Sequence, residues 1–126
     1  MERWPIVFGF QEEWRAFADS HREFFARFDN LRELLKKVFI RTGTTASRAD
    51  LVIFFLGRLA VEDFMEILLL CANGYGLAGL KLLRGMYEKC VTGGYLSLHP
   101  AEAESFLDFH RVQEWKLHQA YIETYK

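Results

Sequence analysis

The stretch Leu70-Cys71-Ala72-Asn73-Gly74-Tyr75-Gly76-Leu77-Ala78-Gly79 decides the fold, because its three glycines admit two incompatible readings. Gly74-x-Gly76-x-x-Gly79 spells the phosphate-binding fingerprint of dinucleotide enzymes. That fingerprint works only between a strand and a helix, within a parallel sheet and with an acidic residue about 20 positions on. Ile67 to Leu70 can pass for the strand, but residues 10–41 and 101–125 read as helix and only Thr92 to Leu98 resembles another strand. The second reading is a turn, Asn73 to Gly76, joining two long helices.

Working outward from the turn, Ser47 or Asp50 is placed to cap a helix that runs to about Ala72. Its apolar residues surround most of the circumference, which predicts a central position in the fold. The following helix should run from about Leu77 to Leu98. Gly79, Gly85, Gly93 and Gly94 weaken it by up to ~1 kcal/mol each relative to alanine, and glycines let helices approach closely. His99-Pro100 ends it, and Pro100 suits the first turn of a last helix whose positive end favours Glu102 and Glu104. That helix shows no stop signal through Tyr121 to Lys126, so the chain either ends within it or is a piece of something longer. Upstream, Phe10, Trp14, Phe17, His21, Phe24 and Phe28 recur at helical spacing; a short break or a kink at Asp29-Asn30 precedes Leu31, Leu34, Leu35, Val38 and Phe39, and Thr42-Gly43-Thr44-Thr45 stops the pattern. The expected architecture is all-α, an up-and-down bundle of about four helices forming one domain over residues 1–126.

Composition narrows the function classes. Sixteen basic and 17 acidic residues give a net charge of −1, which draws the chain toward neither nucleic acid nor an anionic membrane. The most apolar segment, Leu51 to Cys71, carries Arg58, Glu62, Asp63 and Glu66, too many charges for a membrane span. Met1-Glu2-Arg3-Trp4-Pro5 opens no signal peptide. Aromatic residues make up 16%, including twelve Phe, more bulky apolar surface than one thin layer hides, and such a surplus goes into subunit interfaces. A homodimer or other homo-oligomer is therefore expected, with room for a further protein partner. A hairpin at Gly74-Tyr75 sets Cys71 level with about position 79 and Cys90 with about position 60. The sulfurs are then on the order of 16 Å apart along the axis, too far for a disulfide. Two buried, reduced thiols and a cytoplasmic location follow.

The same register sets Glu66 level with Arg84 and Glu62 level with Glu88, while a second hairpin at His99-Pro100 brings Arg111 level with Glu88. Scattered charges thus become one cross-helix network of Glu62, Glu66, Arg84 and Glu88, with Arg111 at its edge, or else a solvated stripe worth a fraction of a kcal/mol per pair. A di-metal site needs Glu-x-x-His pairs on two helices, whereas His110, Glu114 and His118 are spaced by four on one helix; neither metal nor cofactor is expected. His21 reads as a core-edge histidine, and Trp4, Trp14 and Trp115 as packing cores or interfaces.

Two resemblances bear on function. Ala78-Gly79-Leu80-Lys81-Leu82-Leu83-Arg84-Gly85-Met86-Tyr87-Glu88, followed by Tyr95-Leu96 and Pro100, resembles a bacterial helical family of unknown function across about Leu51 to Lys116. The resemblance implies a helical fold and a role for Arg84 and Glu88, but no activity. Arg111 and His118, with six residues between them in a helix, resemble the Arg–His motif of the HEPN ribonucleases, helical bundles that dimerise to build their active site; Val112 departs from that motif. In that chemistry an imidazole moves the proton while an arginine stabilises the phosphorane charge. The sequence thus carries two functional readings. The first is a helical interaction or dimerisation module built on the Arg/Glu network. The alternative is a metal-independent, HEPN-like ribonuclease with Arg111 and His118 as catalytic residues.

Overall fold

The computed structural model describes residues 10–40 and 44–124; Trp4 with the rest of the opening segment, Thr42-Gly43 and Tyr125-Lys126 lie outside them. The described residues form five α-helices and one short 3₁₀ turn: α1 Gln11–Ser20, α2 Arg22–Phe39, α3 Arg48–Ala72, α4 Gly76–Leu98, the turn Pro100–Glu102, and α5 Ala103–Thr124. The fold is an all-α bundle. Its core is the antiparallel α3–α4 hairpin, and α1, α2 and α5 all lean on α3, which makes α3 the central helix.

Glycine chemistry sets the hairpin. Gly74 adopts a left-handed backbone, φ +82°, just past the end of α3. There the Tyr75 N–H donates to the Leu70 carbonyl at 2.8 Å and the Gly74 N–H to the Cys71 carbonyl at 3.2 Å. Together these close the helix end in a Schellman arrangement, which satisfies carbonyls the helix would otherwise leave open. Gly79 then lets α4 approach α3: a Cβ there would stand 2.8 Å from the Cys71 sulfur. Cys71 is thus level with position 79, as the register reading expects. At the other end of α3 the Ser47 side chain accepts the Asp50 N–H at 3.1 Å, an ordinary N-cap.

Four expectations need correction. The N-terminal helical run breaks at His21 rather than at Asp29-Asn30. Ser20 Oγ donates to the Ala16 carbonyl and the His21 ring Nδ1–H to the Phe17 carbonyl at 2.9 Å, so two side chains compete for ladder acceptors. Asp29 meanwhile continues α2 with an ion pair to Arg32, 3.2 Å and one turn on. His21 is itself exposed, not at a core edge. Cys90 is exposed and Cys71 half-buried, both as free thiols, because α2 does not close over Cys90. Of the helix-weakening glycines in α4, Gly79 alone marks a close approach between helices. Gly93 and Gly94 have nothing within 4 Å of a built Cβ, and Gly85 faces only the Lys89 amine.

The core is thin. Among the described residues the buried apolar set is four alanines, two valines and Leu96. The aromatics of the N-terminal arm pack on one another instead: Phe24 lies 5.3 Å from Phe25 and 5.7 Å from Phe28, and Phe17 lies 6.0 Å from Phe25. Phe10 reaches the hairpin tip, with its ring 5.9 Å from that of Tyr75.

Candidate functional site

Because α2 and α4 both lie on α3 without closing on each other, a groove of about 490 Å³ runs between them. Leu35 and Phe39 of α2 form one wall, Met86, Cys90 and Gly93 of α4 the other, and Gly57 and Val61 of α3 the floor. Gly57 is small for a reason: a Cβ there would collide with the Phe39 ring. Among the described residues the groove's one charged lining group is Lys89, whose ammonium meets the Asp63 carboxylate at 2.5 Å. Both side chains are largely covered, 27% and 17% exposed, against 43% or more for every other ion pair among the described residues. A carboxylate–ammonium contact this sheltered fixes register more than it offers chemistry, since each charge is already neutralised.

The residues singled out from the sequence lie elsewhere. Arg84 bonds Glu88 at 2.9 Å along α4, and Arg58 lies 3.9 Å from Glu62 along α3. These ion pairs run along single helices, and all four side chains are more than half exposed. Glu66 and Glu62 border a shallow hollow facing Arg32 of α2 rather than α4. The contact that does cross the hairpin, Asp63 to Lys89, lies one position beyond Glu62 and Glu88 on each helix. The register reading could have found it, had half a turn of tolerance been allowed on each helix.

Arg111 lies in a polar depression of about 520 Å³ at the base of α5. Its neighbours there are His110, Glu114, Asp108 and the Arg48–Glu104 ion pair, 3.0 Å long. Three carboxylates in so small a space disfavour an incoming phosphate. His118 is outside this depression; seven residues along an α-helix separate it from Arg111 by about 10 Å, on about the same face.

The junction between α4 and α5 is clasped by Tyr95, whose hydroxyl donates to Glu102 at 2.9 Å and whose ring stacks 4.3 Å from that of His99. The hydrogen bond to Glu102, together with slight desolvation and the nearby negative charge, raises the Tyr95 phenol above its ordinary range. From Asp108 to His118 every residue of α5 is exposed, Phe109, Val112, Trp115 and Leu117 among them.

Residues 50–126, α3 through α5, match the family described as a family of unknown function, DUF5677. The chain belongs to that family. No curated protein and no solved structure matches the chain. The family match covers the hairpin and α5 but leaves out α1 and α2, so the groove is built half from family residues and half from the N-terminal arm. Among the described residues no helix is long and apolar enough to cross a membrane.

Proposed function

We propose that this protein is a helical self-association module, whose apolar surface is completed only when copies come together. What carries the reading is the surface the single chain leaves wet. The chain exposes 10754 Å². A compact monomer of 14.8 kDa exposes about 7,000 Å² by the usual size scaling. The surplus, roughly 3,700 Å², exceeds the ~800 Å² that each partner buries in an interface of standard size. Much of it is bulky and apolar, on α4 (Leu77, Leu80, Tyr87, Leu98) and on α5 (Phe109, Trp115, Leu117). Sedimentation velocity on the full chain tests the reading. Twice the chain mass at micromolar concentration is expected, and a monomer throughout the micromolar range would sink it.

The second reading, metal-independent RNA cleavage by Arg111 and His118, draws support from both side chains being accessible on one stripe of α5. Against it stands the carboxylate-rich setting of Arg111. An RNA-cleavage assay in EDTA separates the two readings.

A further inference from the structure

We infer that the outer face of α4 is a self-complementary contact on which a second copy of this chain docks its own α4, antiparallel, with Tyr87 beside the two-fold axis. The inference rests on the self-association reading and names its partner and register.

Helix α4 has two apolar faces. The inner one turns to α3 through Gly79 against Cys71, Lys89 against Asp63, and the buried Leu96. At ~100° per residue, Leu80, Leu83, Tyr87, Val91 and Leu98 share an arc about 80° wide on the opposite side. All five are exposed, Leu80 at 62%, Tyr87 at 68% and Leu98 at 79%. This stripe runs about 27 Å from Leu80 to Leu98. A helix apolar on both faces belongs in an interior, yet the described residues supply cover for only one of them.

The middle of the stripe, Leu83, Tyr87 and Val91, reads the same way from either end. With Tyr87 at the centre of an antiparallel pair, Leu83 comes level with the partner's Val91, and Leu80 with the partner's Gly94. Gly94 has nothing within 4 Å of a built Cβ, so it leaves a hole where a leucine can seat. Leu77, 80% exposed, comes within one residue of being level with the partner's Leu98 at each end of the contact.

The charges flanking the stripe agree with this arrangement. Arg84 and Glu88 stand together on one edge, and a two-fold axis between antiparallel helices puts that edge of both copies on the same side. Each Arg84 then lies within about 3 Å, along the axis, of being level with the partner's Glu88. Arg84 holds its own Glu88 through Nε alone at 2.9 Å. Its two terminal nitrogens make no bond among the described residues and can take the partner's carboxylate, giving a four-charge cluster across the axis.

The test uses the full chain in sedimentation equilibrium, with helix content followed by circular dichroism. Tyr87→Arg places two like charges at the axis and is expected to leave a folded monomer where the wild type is dimeric. Arg84→Glu alone gathers four carboxylates on the edge and Glu88→Arg alone gathers four guanidinium groups, and each should weaken the dimer on the order of tenfold. An equimolar mixture of the two single variants should recover wild-type association, because the mixed dimer alternates charge. A pairing confined within one helix cannot be rescued by mixing. A monomeric wild type would overturn both the self-association reading and this contact. A wild-type dimer that withstands Tyr87→Arg, or single variants that stay weakened when mixed, would overturn this contact alone.

Discussion

Asp63 and Lys89 meet 2.5 Å apart across the α3–α4 hairpin, the most sheltered ion pair among the described residues. Their contact ties the midpoint of the hairpin, and it follows directly from the turn that Gly74 permits. Removing either partner leaves a poorly solvated charge behind. Asp63→Ala and Lys89→Ala should each lower stability by about 1–2 kcal/mol. The apolar double variant Asp63→Leu/Lys89→Met should recover most of that loss. Chemical denaturation of the three variants checks the ordering. If both single variants unfold with the wild-type midpoint, the contact does not hold the hairpin.

Glycines in this chain should separate into two classes by mutation. Gly74→Ala forces an L-residue into a left-handed backbone and should cost about 1 kcal/mol. Gly93→Ala meets nothing within 4 Å, so it should raise stability by about 0.5–1 kcal/mol. Thermal melting that gave both changes the same sign would contradict the turn geometry.

Tyr95 supplies a pH-dependent prediction. Its phenol loses its proton above the ordinary value of 10.0, first because its hydroxyl donates to Glu102. A value raised in the folded state means that folding favours the protonated form. The contribution is therefore complete below about pH 10 and is lost as pH rises through the folded-state value. Ultraviolet titration of tyrosinate should show one late-ionising tyrosine that moves to the normal range in Glu102→Ala, which removes the acceptor. No change between the two proteins would mean that the clasp is absent in solution.

Arg111 and His118 make a separable prediction about RNA. With three carboxylates around Arg111, wild-type protein in EDTA should leave a structured RNA uncut, and His118→Ala should behave identically. Metal-independent cleavage by the wild type that His118→Ala abolishes would establish the ribonuclease reading instead.

Much of this architecture was legible in the residues. Helical spacing, the Asn73 to Gly76 turn and Pro100 mark the helix boundaries of the family region to within a few residues, because caps and breakers act locally. The position of Cys71 beside Gly79 also follows from counting along two antiparallel helices. Less legible was the break at His21. There two side chains bond back to carbonyls one turn earlier, a choice that polar residues in a helical run leave open. The stripe Leu80, Leu83, Tyr87, Val91 and Leu98 was present in the sequence, yet it could not be told from core.

The sequence by itself determined that the chain is helical, that it turns back at Gly74, and which residues lie level across that turn. Backbone propensity, glycine conformation and residue spacing are sufficient for these. Only the tertiary structure decided which apolar face finds a partner. A helix carrying leucines on every side reads alike whether it is buried or bare, and the difference depends on where the other helices settle. Here they settle around α3 and leave the outer face of α4 and most of α5 open. That packing turns Arg84 and Glu88 into an in-helix pair beside a bare stripe and gives the inward contact to Asp63 and Lys89.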